Sequence, residues 1–275
     1  MFYRDGAFFR STILDEYEKY GVRHVFTTRH GGVSSLPHTK SMNLTYLLGD
    51  PDDVVRENID IAARALSLGR LGGENVVLAS QIHSSAVRVV GSENAGEGVS
   101  RERGGDCDGF ATAEKNVIPL IRVADCVPVI LAGIKGDGGA VISVVHAGWR
   151  GTVGGICSEA VRAMLRLGAE KSSISAAVGA HIGFCCFEVG EDFTEAVTKM
   201  RGRDFAARHV REFPGSAKKH ADLASMNAEI LAEAGVGADK LDFSPYCTAC
   251  DTDTFYSHRR MHGVRGTMGA MAVIM

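Results

Sequence analysis

Apolar residues recur at helical spacing in three stretches of the chain. Val55, Ile59, Ala62 and Leu66 form the first stripe, after Gly49-Asp50-Pro51-Asp52 as a start signal. Ile156, Ala160, Ala163, Met164 and Leu167 form the second, predicting a helix from Thr152 that Gly168 stops. Leu223, Met226, Ile230, Leu231 and Ala234 form the third, from Asp222 to Gly235. Between them lie short β-rich runs at 24–28, 76–80, 87–90, 117–123, 128–132, 141–145, 174–178 and 268–274. Several of these runs are apolar without alternation, the pattern of strands covered on both faces. Strands and helices follow no regular rhythm, so the expected class is α+β, mixed β-sheets packed together with peripheral helices. The polar, Gly-rich segment 91–105 reads as a mobile loop, and 213–216 as a polar turn. Neither sits at a shift in composition, so residues 1–275 are expected to form a single domain.

Composition narrows the function classes. A formal net charge of −3 gives no reason to expect a nucleic-acid partner or an acidic membrane surface. No apolar run approaches the roughly 20 residues of a membrane span. The start, MFYRDGAFFR, lacks the features of a signal peptide, and the seven cysteines read as reduced thiols of a cytoplasmic protein. Nothing implies an obligate protein partner.

The candidate chemistry gathers at predicted strand ends. Cys126 follows Ala124-Asp125, His146 opens His146-Ala147-Gly148-Trp149-Arg150-Gly151-Thr152, and His83 ends Gln81-Ile82-His83. One thiolate and two imidazoles suit a catalytic zinc with an open fourth position. Cys126 and His146 equally suit a nucleophile and its base, and a buried thiol with two structural histidines is the bland alternative. Two His and a Cys also hold blue copper, but the ten histidines include no His-x-His pair, which argues against a true multicopper enzyme. The predicted helix start after Gly148, with Arg150 beside it, is a candidate anion seat, and Trp149 is a residue for stacking or for core. Arg29 and His30 flank a Gly pair, and Arg259-Arg260 follow Phe255-Tyr256-Ser257-His258. The single Cys247-Thr248-Ala249-Cys250 lacks a second pair of that spacing and reads as structural, as does Cys185-Cys186.

Taken in order, Arg29-His30-Gly31-Gly32-Val33-Ser34, Met42-Asn43-Leu44, Gln81-Ile82-His83, Asp108-Gly109-Phe110-Ala111-Thr112, Ala124-Asp125-Cys126-Val127-Pro128, the His146–Thr152 motif, Cys185-Cys186-Phe187-Glu188-Val189-Gly190, Cys247-Thr248 and Phe255–Arg260 resemble the laccase-domain family. Its members were first called multicopper polyphenol oxidases and later purine nucleoside phosphorylases, and the similarity runs from about Arg23 to the end. The resemblance implies packed sheets with outer helices and one zinc per chain on His83, Cys126 and His146, copper being the less expected metal. It implies phosphorolysis of adenosine, inosine, guanosine and methylthioadenosine, with deamination of adenosine. Nucleoside and phosphate would then be the small-molecule partners. Cys126, His146, Asp125 and Arg150 become candidate catalytic groups, and Arg29, Asn43, Arg150 and Arg259 candidate substrate or phosphate groups. Asp125 and Asp108 are both candidates to orient a histidine or accept a proton. Alternatives within the resemblance are a Cys-His hydrolase editing peptidoglycan precursors and a copper-dependent polyphenol oxidase. The chain departs from the family pattern at Ser84 for Gly, at Ala180 for Pro with His181 gained beside it, and at Thr267 where a basic residue is expected.

Overall fold

The apolar runs that lack alternation become strands buried on both sides. The computed structural model describes residues 1–275. One six-stranded sheet takes the order Phe2–Asp5, Phe8–Ser11, Val22–Thr27, Met268–Ile274, Ile118–Val123, Val76–Val77. It is antiparallel except at the last pair, Val76–Val77 with Ile118–Val123. A second six-stranded sheet runs Leu241–Phe243, Ser175–Val178, Val127–Ile134, Ala140–Ala147, Gly109–Thr112, Val87–Val89, with parallel pairs only at its two edges. A third, three-stranded sheet joins Glu188–Val189, Lys219–Ala221 and Val210–Arg211.

The two large sheets stack. Along Val127–Ile134, Ile130 and Ala132 face Ile121, Val123, Ala270 and Ala272 of the other sheet, while Val127, Val129 and Leu131 face the opposite way. There they meet Ile156, Ala160 and Met164 of helix Ile156–Arg166, and Met226 and Ile230 of helix Leu223–Glu233. On the far side of the first sheet, Met271 and Val273 pack against Val55, Ile59 and Leu66 of helix Asp52–Ser67. Each central strand therefore supplies two cores, which is why its sequence does not alternate. The order helix, sheet, sheet, helices is the expected α+β class with peripheral helices.

Local signals account for several boundaries. Asp222 caps helix Leu223–Glu233 by accepting from the Ser225 N–H at 3.0 Å. The single helix expected from Thr152 is instead two, Trp149–Val153 and Ile156–Arg166, because Gly155 takes a left-handed conformation between them (φ +81°). Segment 91–105, expected to be mobile, is tied down: Glu97 pairs with Arg88 at 2.9 Å, and the Gly96 N–H donates to the Val76 carbonyl at 2.9 Å. Helices Glu191–Arg201 and Arg203–His209 and the N-terminal hairpin were not expected from the apolar pattern. No helix is long and apolar enough to cross a membrane.

His24, buried on strand Val22–Thr27, accepts the Ser11 N–H at Nε2 (2.8 Å). Burial, with Arg10 adding to it, pushes its pKa from 6.5 down to about 3. Between those values the unfolded chain takes up a proton that the folded chain refuses, so stability falls as pH drops through this window. We expect a loss of roughly 2.5 kcal/mol from this group between pH 6.5 and pH 4.5. Urea unfolding of the wild type and of His24→Gln at both pH values checks it; an equal pH dependence in the two proteins would contradict it.

Candidate metal centre and pocket

Cys126 lies in the short link where the chain passes from strand Ile118–Val123 of the first sheet to strand Val127–Ile134 of the second. His146 lies within strand Ala140–Ala147, opposite Pro128, one residue further inside the sheet than the sequence run predicted. His83 sits on the loop after the Ser80–Asp106 bridge, in the left-handed region (φ +62°) that side chains other than Gly, Asn and Asp rarely enter. The Gln81 side chain holds this loop against the first sheet: its Nε2 donates to the Arg122 carbonyl and its Oε1 accepts the Arg122 N–H, both at 2.8 Å.

The three side chains converge. One donor atom from each of His83, Cys126 and His146 lies within 4.8 Å of the others, with His83 Nε2 3.9 Å from Cys126 Sγ. The two imidazole rings meet edge to face, centroids 4.9 Å apart. His146 Nδ1 is 2.8 Å from the buried Asp108 carboxylate, which leaves Nε2 to face the cluster. Asp108 also accepts the N–H groups of His83 (3.0 Å) and Ser84 (2.6 Å) and the Ser84 hydroxyl (2.7 Å). One carboxylate thus orients one imidazole and pins the loop that carries the other. Ser84, where the family pattern has Gly, is part of that clamp.

Charge follows from this geometry. Burial opposes ionisation of Asp108, but the bonds from His146 and Ser84 outweigh it and lower its pKa to about 2. Burial likewise opposes the charged forms of Cys126 and His146, yet the thiol falls to about 6 under the two imidazoles. His146 rises to about 9 between Asp108 and Cys126. The site favours a thiolate, the form a metal requires. Two imidazoles and a thiolate within coordinating reach, one imidazole braced by a carboxylate, fit a transition-metal centre.

Gly148 is part of the same construction. A Cβ there would lie 2.7 Å from His83 Cδ2 and 3.4 Å from both Cys126 Sγ and His146 Cε1. Gly148→Ala is therefore expected to push His83 away although no ligand is changed. A displacement of about 1 Å costs on the order of 10²-fold in activity. Metal content and kcat/KM measured together check this; normal values for both would show that the space beside His83 is not needed.

The cluster opens into a pocket of about 480 Å³ lined by Arg122, Arg259, Arg265, Ile182, Phe187, Thr45 and Thr267, among others. None of the three guanidinium groups pairs with a carboxylate; Arg122 donates to the Ala79 carbonyl, and Arg259 to the carbonyls of Cys186 and Glu188. Arg265 Nε is buried without a partner. The basic residue missing at position 267 is thus matched two residues earlier. Arg122 and Arg265 were not singled out from the sequence; a charge inside the apolar run 117–123 was the available signal for the first.

The other candidate residues take distinct places. Asp125, also at positive φ (+83°), lines the pocket, but its carboxylate accepts the Thr248 hydroxyl (2.6 Å) and the Arg259 N–H (2.7 Å) rather than a histidine. Asn43 is fully buried and braces the Thr45 and Thr267 backbones behind the pocket wall. Arg29 donates to the Thr252 carbonyl at 2.6 Å and lies over the Tyr256 ring, outside the lining. Arg150 is exposed, stacked 4.2 Å over the Trp149 ring, and does not line the pocket. Trp149 itself packs into the core beside Phe193. His181 is buried, with Nδ1 2.9 Å from the Gly179 carbonyl.

Stacked sheets carrying two imidazoles and a thiol at the crossing between them, above a cationic pocket, define a candidate metalloprotein of α+β class. Residues 23–275 match the family described as multi-copper polyphenol oxidoreductase laccase, and the chain belongs to that family. It is similar to a purine nucleoside phosphorylase of Deinococcus radiodurans, 37% identical over 252 residues that cover 91% of this chain and 88% of the relative. It is also similar to adenosine deaminase RL5 of an unknown prokaryotic organism, 32% identical over 240 residues, 86% and 88% of the two chains. The solved structure of the hypothetical protein YfiH of Bacillus licheniformis superposes with a TM-score of 0.86 at 25% identity, over 100% of this chain and 99% of that one. The resemblance read from the motifs is borne out.

Proposed function

We propose that the protein is a zinc-dependent purine nucleoside enzyme that cleaves adenosine, inosine, guanosine and methylthioadenosine with phosphate and deaminates adenosine. The convergence of His83 on the Cys126–His146 pair carries this reading. A thiol nucleophile needs a base and a group to orient it, and has no use for a second imidazole; a three-ligand zinc site does. The names of the relatives, purine nucleoside phosphorylase and adenosine deaminase, support the substrate class.

His83, Cys126 and His146 would hold the zinc, which would supply Lewis-acid chemistry at the pocket when bound. Asp108 keeps the proton of His146 on Nδ1 so that Nε2 stays a ligand. For phosphorolysis, Arg259 and Arg265, with Arg122 behind them, hold phosphate against the ribose anomeric carbon. A phosphate oxygen bonds to that carbon as the bond from the carbon to the purine nitrogen breaks, and the base leaves carrying the proton that hydrogen phosphate gives up. Phe187 and Ile182 offer the purine an apolar wall. Asp125 is a positioning residue in this scheme, fixing the backbone of Arg259. Arg29 and Asn43 support the pocket from outside it.

The test is incubation of protein purified without chelator with adenosine, with and without inorganic phosphate. Adenine and ribose-1-phosphate are expected only with phosphate, and inosine with ammonia in both cases. Metal-loaded protein that forms none of these products would sink the nucleoside reading. The chain Cys126–His146–Asp108 also has the order of nucleophile, base and orienter, which favours a thiol hydrolase as the second reading. Metal-free protein whose hydrolysis of a cell-wall peptide precursor is abolished by alkylation of Cys126 would establish that reading in place of the first.

A further inference from the structure

Four cysteines outside the pocket form a second cluster. Cys185, Cys186, Cys247 and Cys250 bring their sulfurs within 4.8 Å of one another, with Cys186 Sγ 3.4 Å and Cys185 Sγ 3.6 Å from Cys250 Sγ. Zinc–thiolate bonds of about 2.3 Å in a tetrahedron place the sulfurs about 3.8 Å apart, whereas a disulfide needs about 2.05 Å. The spacings of 3.4 and 3.6 Å lie near the tetrahedral value and far beyond that of a disulfide. Neither cysteine pair announces it alone, because Cys185-Cys186 has the wrong spacing for a metal knuckle and Cys247–Cys250 lacks its mate in sequence.

Donors and cations flank the cluster. The Gly183 N–H donates to Cys247 Sγ at 3.1 Å. A side chain at Gly183 would press on the cluster, since its Cβ would stand 3.2 Å from Cys247 Cβ and 3.3 Å from Cys185 Sγ. Two permanent cations bind the cysteine turns: Arg259 donates to the Cys186 carbonyl (3.3 Å), and Arg260 to the Ala249 carbonyl (3.0 Å). Positive charge beside both turns compensates the net negative charge of a tetrathiolate centre.

We propose that Cys185, Cys186, Cys247 and Cys250 form a second, structural metal site that takes a thiophilic divalent cation such as zinc. The two turns are about 60 residues apart in sequence and carry Ile182 and Phe187 on one side and Thr248, the partner of Asp125, on the other. The metal clips together two walls of the pocket without touching substrate. This site is independent of the chemistry assigned to His83, Cys126 and His146.

Elemental analysis of the full chain, purified under reducing conditions without chelator, tests the proposal. Wild-type protein is expected to carry two zinc ions per chain. His83→Ala and the double variant Cys186→Ser/Cys250→Ser should each carry one. If the double variant fails to fold, cobalt-loaded wild type provides the readout, with charge-transfer absorption from five cobalt–thiolate bonds per chain, four from this cluster and one from Cys126. Absorption from a single such bond would overturn the proposal. So would a wild-type stoichiometry of one that His83→Ala abolishes, or a disulfide among these four residues in the protein as isolated under reducing conditions. A stoichiometry of one that His83→Ala leaves unchanged would instead uphold this site and remove the first.

Discussion

His83→Asn is expected to abolish metal binding at the His83–Cys126–His146 site and to lower adenosine phosphorolysis by more than 10²-fold. Loss of an outer partner of a metal ligand already costs roughly 10–100-fold, and loss of the ligand itself costs more. Asparagine suits the position because His83 stands at φ +62° on a partly exposed loop, and Asn tolerates that conformation better than Ala does. The fold should therefore survive, which thermal unfolding can verify. The variant also separates the two chemistries offered by the same residues. If Cys126 were a nucleophile with His146 as base and Asp108 as orienter, removing His83 would leave that trio intact and activity would change by only a few-fold. If Cys126 is a ligand, the thiolate freed from the metal should alkylate faster in the variant than in the wild type. Retained activity with unchanged alkylation would end the zinc reading.

Much of this site was legible because strand ends carry it. The apolar runs located the strands, and His83, Cys126 and His146 stood at or near their ends, so the ligand set could be named before any convergence was known. The family motifs extended the same reading. The residues that escaped did so for tertiary reasons. Asp108 and Asp125 looked alike in sequence, and only the fold ranks them: Asp108 bonds His146 and the His83 loop, while Asp125 bonds Thr248 and the Arg259 backbone. Arg150 looked like an anion ligand beside a helix start, but that helix is short, Trp149–Val153, and the guanidinium lies exposed on its own neighbour Trp149. Helix Glu191–Arg201 buries only Phe193 and Val197, too thin an apolar stripe to be recognised by period. The cysteine cluster was invisible for the reason that distinguishes it, since its two halves meet only in the folded chain.

Asp108→Asn carries the second large effect, because one carboxylate serves both histidines. Its Oδ1 accepts the His83 N–H and bonds His146 Nδ1, and its Oδ2 accepts the Ser84 N–H and hydroxyl. An amide has one oxygen, so one of these pairs must face an NH2 donor. If the amide nitrogen faces His146, the imidazole must turn Nδ1 into an acceptor and carry its proton on Nε2, where it cannot bind metal. If the nitrogen faces the loop instead, Ser84 is left opposing a donor and the hold on His83 loosens. Either outcome weakens one ligand, and the expected cost is 10–100-fold in zinc affinity, about 1.4–2.7 kcal/mol. The zinc concentration that half-restores activity to chelated protein should rise by that factor, with partial recovery of kcat at saturating zinc. Asp125→Asn provides the contrast: it should leave the zinc requirement within a few-fold of wild type and raise the KM for phosphate through Arg259. An Asp108→Asn protein with an unchanged zinc requirement would mean that the buried carboxylate holds the fold rather than the metal ligands.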